Sequence, residues 1–260
     1  MNRIERAFAD KKAFVAFLTA GDPSLKATEE YILEIEKAGA DLIEIGIPFS
    51  DPIAEGPVIQ EADLRALSGG VTTDQIFSMV ERVRKKTDIA LVFMTYLNPV
   101  FHYGYERFFA RCQEVGIDGI IIPDLPFEEK AEADEVSSRH GVTLISMIAP
   151  TSQERIAQIA KEAKGFLYVV SSMGVTGMRS EIRTDLDGIL GQIRAVTDVP
   201  AAVGFGIHTP AQAREIAGKA DGVIVGSALV KLIGQYRDQA HAQIGAYVRQ
   251  MKDAVNAAEK

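Results

Sequence analysis

Short apolar runs alternate with amphipathic segments along the whole chain. The runs are AFVAFLT (13–19), DLIEIG (41–46), IALVFMT (89–95), DGIIIP (118–123), VTLISMI (142–148), FLYVVS (166–171), PAAVGFG (200–206) and DGVIVG (221–226). They are nearly continuous in apolar residues rather than strictly alternating. Strands buried on both faces read this way, and parallel sheets bury both faces. Between the runs, helical periodicity covers 24–38, 73–86, 104–115, 127–139, 152–163, 185–196 and 209–218, with a longer segment at 236–258. A weak repeat marks the junctions: GADLIEIG, GIDGIIIPD and KADGVIVGS each place an aspartate just before the apolar run.

Eight strand–helix units in 260 residues predict an α/β fold, a single (β/α)8 TIM barrel spanning 1–260 as one domain. An open doubly wound sheet of the same length accounts less well for the even spacing. The expected barrel carries an extra N-terminal helix and a short extra helix, ALVKLI, after the eighth strand. In such barrels the chemistry sits on the loops that follow the strands. The loops that stand out are 46–57, 171–180, 204–208 and 226–227.

Composition narrows the function classes. The net charge is −8 and the charged residues are scattered, which disfavours a nucleic-acid or anionic-membrane surface. Cys112 is the only cysteine, so no internal disulfide forms, and a cytoplasmic setting is expected. No signal-peptide core and no membrane-length apolar run is present. The four histidines (102, 140, 208, 241) lie far apart, with no HxxxH or CxxC spacing, so no metal is expected. No lysine ends a strand run, which argues against Schiff-base chemistry.

The candidate chemistry is carboxylate and phosphate chemistry. In the second run Leu42, Glu44 and Gly46 share one face, and Ile43 and Ile45 the other. On the inward face Glu44 would point into the barrel mouth, where an apolar setting raises its pKa towards neutrality. The loop PFSDPIAEGP (48–57) follows, stiffened by three prolines, and offers Asp51 or Glu55 as a second acid. Asp124 is a rival with a turn or capping role. Gly204-Phe205-Gly206 and Gly226-Ser227, at the ends of the seventh and eighth runs, suit a phosphate held by backbone N–H groups. Loop 171–180, with Gly174 and Gly177, could cover the same site.

LTAGDP (18–23), EIGIPFSDPIAEGP (44–57), MTYLNPVFHYG (94–104), PDLPFEE (123–129), SSMGVTGMRS (171–180), GFGI (204–207) and IVGSALV (224–230) together resemble the tryptophan synthase alpha subunit family, over nearly the whole chain and in order. The resemblance implies retro-aldol cleavage of indole-3-glycerol phosphate without a cofactor in this chain. It also implies a beta-subunit partner in an α2β2 complex, which receives the indole and carries pyridoxal phosphate. It assigns Glu44 as the acid for indole C3 and the base for the glycerol hydroxyl. It assigns Glu55 as the carboxylate that stabilises charge at the indole N–H. Phe17, Met94, Tyr96, Met147, Tyr168, Thr176, Phe205 and Ile224 match the substrate pocket. Gly177, Gly206, Gly226 and Ser227 match the phosphate site, and Asp51, Pro52, Asn98 and Phe101 match the partner interface. Two residues depart from the family pattern: Ala16 stands where proline is frequent, and Glu55 where an aspartate is usual. The extra methylene of Glu55 opens a second expectation, a weakly active or inactive protein that serves as an allosteric partner.

Overall fold

The computed structural model describes residues 1–150, 155–171, 185–204 and 206–258. The parallel strands are β1 (Ala13–Thr19), β2 (Leu42–Gly46), β3 (Ala90–Met94), β4 (Gly119–Ile121), β5 (Thr143–Leu144), β6 (Ser146–Ile148), β7 (Leu167–Val170), β8 (Ala201–Gly204) and β9 (Gly222–Val225). Their order around the sheet is β5-β4-β3-β2-β1-β9-β8-β7-β6. The two ends of that order, β5 and β6, are halves of one run. The sheet therefore closes on itself as a nearly complete TIM barrel, as the repeat of strand and helix predicts.

The fifth run was expected as one strand, and the structure divides it. Its lower half pairs with β4 through Thr143 and Leu144, and the Ile145 N–H still reaches Ile120 O at 2.9 Å. Among the described residues its upper half pairs only with β7. The physical cause lies on the neighbouring strand: the next carbonyl on that side of β4, Ile122 O, accepts instead the N–H of Leu125 at 3.1 Å, in the turn that ends the strand.

Helices surround the barrel: α1 (Arg3–Phe8), α2 (Leu25–Lys37), α3 (Pro57–Ser68), α4 (Thr73–Arg84), α5 (Leu97–Tyr103), α6 (Tyr105–Val115), α7 (Ala131–Arg139), α8 (Ile156–Lys161), α9 (Leu186–Arg194), α10 (Pro210–Ala217), α11 (Ser227–Tyr236) and α12 (His241–Asn256). Helical periodicity did not point to α3 or α5. The long segment expected from 236 begins instead at His241, after a turn in which Arg237 takes a left-handed φ of 48°.

Two apolar layers follow from the strand alternation. Outward residues such as Ile43, Ile45 and Phe93 meet the helices. Inward residues, including Val15, Phe17, Leu42, Val92, Ile145, Phe166 and Tyr168, fill the barrel, and Ile4 and Ala7 of α1 plug its floor. Cys112 is buried in the outer layer on α6.

The aspartate repeat has a definite job at that floor. Asp41, Asp118 and Asp221 accept the backbone N–H groups of Phe14, Leu91 and Ala201 at 2.8, 2.9 and 3.0 Å. Each aspartate's own N–H donates to the carbonyl of the same residue at 2.9 Å. Each thus closes a two-bond ring onto the start of the strand beside its own. Cations neutralise them: Lys11 and Lys252 on Asp41, both at 2.6 Å, and Arg84 and Arg3 on Asp118 at 3.0 and 3.1 Å.

Candidate active site

β2 places Glu44 in register with Phe17 of β1 and Val92 of β3, both in the inner layer. Glu44 is 1% exposed, and among the described residues neither carboxyl oxygen has a hydrogen-bond partner. Burial alone pushes its carboxyl up to about 8. A side chain held this way is a neutral acid at physiological pH with a proton to give. Room for the pocket wall comes from Gly46, because a Cβ there would lie 2.7 Å from the tip of the Phe17 ring.

Glu55 closes the loop that follows β2. It is buried, and Tyr96, at the start of α5, organises its surroundings. The Tyr96 hydroxyl accepts the N–H groups of Ile53 and Ala54 at 3.0 and 2.8 Å and donates to Glu55 Oε2. The Phe49 ring packs on the Tyr96 ring, 5.3 Å between centroids. On the other side Gln60 Nε2 donates to Glu55 O at 2.8 Å, and Pro57 then starts α3. Burial pushes the Glu55 carboxyl up to about 7 and the Asp124 charge adds to this, while the N–H groups of Glu55 and Ala54 pull it down.

The two acids serve one space. Tyr168 on β7 is buried, and its phenol is held well above its usual range by burial and then by the charges of Glu44 and Glu55. Its hydroxyl sits over β8, where a Cβ at Gly204 would come within 2.6 Å of it. Phe17, Met94, Tyr96 and Ile224 are buried around the same interior, and Met147 packs against it from β6.

At the ends of β8 and β9, Gly206 takes a left-handed φ of 84°, and its carbonyl lies 2.8 Å from His208 Nδ1. Ser227 opens α11 after Gly226, without a side-chain cap, so this helix start is available to an anion. Thr176, Gly177 and Phe205 lie outside the described residues.

Asp124 takes the capping role of the two expected, on a helix other than the one that follows it: its Oδ1 accepts the N–H of Leu97, the first residue of α5, at 2.8 Å. Asp51 is exposed beside Ser50, and Asn98 is exposed as well. Phe101 and Ile53 are 66% and 73% exposed, so this rim carries apolar surface in water. Among the described residues, no group of three or more His, Cys, Asp or Glu could hold a metal ion.

Three features escaped the sequence reading. Ile53 is the most exposed apolar side chain of the loop. Asp22, 1% exposed in the loop after β1, takes two hydrogen bonds from Arg65 of α3, at 2.8 and 2.7 Å. Asp63 of α3 is buried beside Glu55 and Asp22. The available signal was the spacing Ile59, Ala62, Asp63 and Ala66, a helical stripe with a carboxylate at a core position.

The family profile of the tryptophan synthase alpha chain matches residues 5–256. The tryptophan synthase alpha chain of Lacticaseibacillus casei is 48% identical over 257 residues, covering 99% of this chain and 97% of that one. That of Lactiplantibacillus plantarum is 49% identical over 257 residues, covering 98% and 97%. A crystal structure of the alpha chain from Legionella pneumophila superposes with a TM-score of 0.87 at 37% identity, covering 98% and 97%. A chain of the tryptophan synthase α2β2 complex of Pyrococcus furiosus superposes with a TM-score of 0.87 at 35% identity, covering 94% and 98%. With its barrel and nearly its full length shared with these proteins, the chain belongs to the tryptophan synthase alpha chain family.

Proposed function

We propose that this chain cleaves indole-3-glycerol phosphate to indole and D-glyceraldehyde 3-phosphate, with Glu44 and Glu55 as its catalytic pair. The observation that carries this reading is Glu44: a carboxyl inside the barrel, without a partner, protonated near neutral pH. Its proton goes to indole C3, and the ring becomes a cationic indolenine. The glycerol hydroxyl then gives its proton back to Glu44. Its O–H electrons form the aldehyde, and the C–C bond electrons return to the ring as indole leaves. Glu44 ends as it began, so the step needs no cofactor here. Glu55, as a carboxylate, meets the indole N–H while positive charge sits on the ring. Gly206, Gly226 and Ser227, with Gly177, bind the phosphate through backbone N–H groups. Phe17, Met94, Tyr96, Met147, Tyr168 and Ile224, with Thr176 and Phe205, hold the indole and the glycerol chain.

The partner in this reading is a pyridoxal-phosphate beta subunit in an α2β2 complex, docked on Asp51, Pro52, Asn98 and Phe101. Likeness to a chain of the Pyrococcus furiosus complex and the exposed Ile53 and Phe101 support this. The setting is cytoplasmic; no helix among the described residues is long and apolar enough to cross a membrane.

The test is indole release from indole-3-glycerol phosphate, with and without a beta subunit, in wild type, Glu44→Gln and Glu55→Asp. Wild type should be active and stimulated by the beta subunit, and Glu44→Gln inactive. A silent wild type that Glu55→Asp switches on would replace the lyase reading with that of a binding partner.

A further inference from the structure

His208 stands in the loop that leaves β8, two residues beyond Gly206. Its backbone is pinned from two helices. Its N–H donates to Gln212 Oε1 at 3.0 Å, and the same oxygen takes the Thr209 N–H at 3.1 Å, in the capping box that starts α10. Its carbonyl accepts the Tyr247 hydroxyl of α12 at 3.0 Å. Ile207, one residue back, is 3% exposed in the outer apolar layer. His208 is therefore a fixed post, and from it the ring folds back onto Gly206.

Gly206 needs such a post. Its left-handed φ of 84° is open to it because it has no Cβ, but glycine also has the most conformational freedom to lose. A backbone N–H serves an anion only while it stays aimed at it. The Gly206 carbonyl oxygen lies 2.8 Å from His208 Nδ1. A carbonyl has no proton to give, so a hydrogen bond at this distance puts the proton on Nδ1. That bond anchors the carbonyl end of Gly206 and limits how far its N–H end can swing.

We infer that His208 is a positioning residue for the substrate phosphate: its Nδ1–H holds the Gly206 carbonyl and so keeps the Gly206 N–H aimed at the anion. The inference rests on the proposed phosphate site. The ring acts as a donor and needs no charge, since the neutral Nδ1–H tautomer and the imidazolium both supply the proton. Asparagine carries an amide N–H as many bonds from Cα as Nδ1 is. His208→Asn can therefore remake the bond, and His208→Ala cannot.

The experiment has three readouts. The first is 15N NMR of the histidine rings, where the signals lost in His208→Asn belong to His208. Its neutral ring should carry the proton on Nδ1; a neutral ring protonated on Nε2 overturns the inference. The second is a titration of inorganic phosphate into 15N-labelled protein, followed at the amides of Gly206 and Ser227. Affinity should fall about fivefold in His208→Ala, the worth of one neutral hydrogen bond, and return to within about twofold of wild type in His208→Asn. Should His208→Ala not fold, His208→Phe keeps a ring without the donor and takes its place. Equal affinity in all these proteins, or a loss that asparagine does not repair, refutes the proposal. The third readout is indole release: KM for indole-3-glycerol phosphate should rise about fivefold in His208→Ala, with a smaller effect on kcat, as for lost binding shared by ground and transition states. A fall in kcat alone speaks against a phosphate role and sinks the idea. A wild type that releases no indole ends the lyase reading, and the first two readouts still decide the inference. Phosphate that moves neither amide in wild type removes the phosphate site, and this inference with it.

Discussion

Replacing Glu44 with glutamine should abolish indole release and, in alkali, make the fold more resistant to unfolding than it would otherwise be. The magnitude follows from burial. Glu44 is 1% exposed, has no hydrogen-bond partner, and its carboxyl is raised from 4.5 to about 8. Below about pH 4 the group is protonated whether or not the chain is folded, so it has no effect on stability. As pH rises towards 8 the unfolded chain ionises it and the folded chain does not, so stability falls over that window. At about 1.4 kcal/mol per unit of pKa difference, moving from pH 5 to pH 8.5 costs the wild type roughly 4 kcal/mol through this one residue. Glutamine has a similar shape and no such dependence. Its buried amide costs about 1–3 kcal/mol, but equally at every pH. Urea unfolding of both proteins at pH 5 and pH 8.5 isolates the effect, because Glu55, Asp63 and all other groups are common to both. The difference in unfolding free energy should move in favour of Glu44→Gln by roughly 3–4 kcal/mol between the two pH values. A difference that stays constant would mean that Glu44 is ionised in the fold, and its role as a proton donor would go with it.

Removing the Tyr96 hydroxyl (Tyr96→Phe) takes a partner from Ile53, Ala54 and Glu55 at once; turnover should fall about 10- to 100-fold through misplacement of Glu55, and unchanged kinetics would show that the loop holds itself. Arg65→Met leaves the buried Asp22 without its two-bond partner and should cost about 3–5 kcal/mol in urea unfolding at neutral pH; an unchanged midpoint would mean that Arg237 suffices. Gly204→Ala drives a methyl to within 2.6 Å of the Tyr168 hydroxyl. It should cost about 1–3 kcal/mol of stability and lower kcat/KM by displacing the ring, whereas wild-type kinetics would remove Tyr168 from the substrate pocket.

The barrel was legible because both its signals are local. Runs buried on both faces are apolar throughout, and helices show their stripe within a dozen residues. The fold hid where tertiary context decides. Nothing local in VTLISMI marks the change of neighbour at Ile145; the reason is the turn after β4, where Leu125 takes the Ile122 carbonyl. α3 escaped because its buried stripe is built from alanines, an isoleucine and Asp63 rather than large apolar side chains. Glu44 was legible because a glutamate inside an apolar strand needs a reason. Asp63 was not, because a helical aspartate looks like a solvated one until β1 and the loop after β2 close over it. The stiff loop offered Asp51 or Glu55, and family resemblance chose Glu55; the hydroxyl that organises it belongs to Tyr96, far along the chain.

The divided fifth strand leaves a gap in the barrel wall, with Pro123 and Asp124 on one side and Ser146, Met147 and Ala149 on the other. A cavity of about 360 Å³ opens there. A hoop that is bonded all the way round can change its bore only by breaking ladder bonds. A hoop with a cut widens by moving one lip, at little cost. Glu44, on β2, has paired strands on both sides and stays put, while the Met147 lip, among the described residues, is strand-paired with β7 alone. The ring thus behaves as a clamp with one fixed and one yielding jaw, and amide exchange at 146–148 should outpace exchange at 42–46.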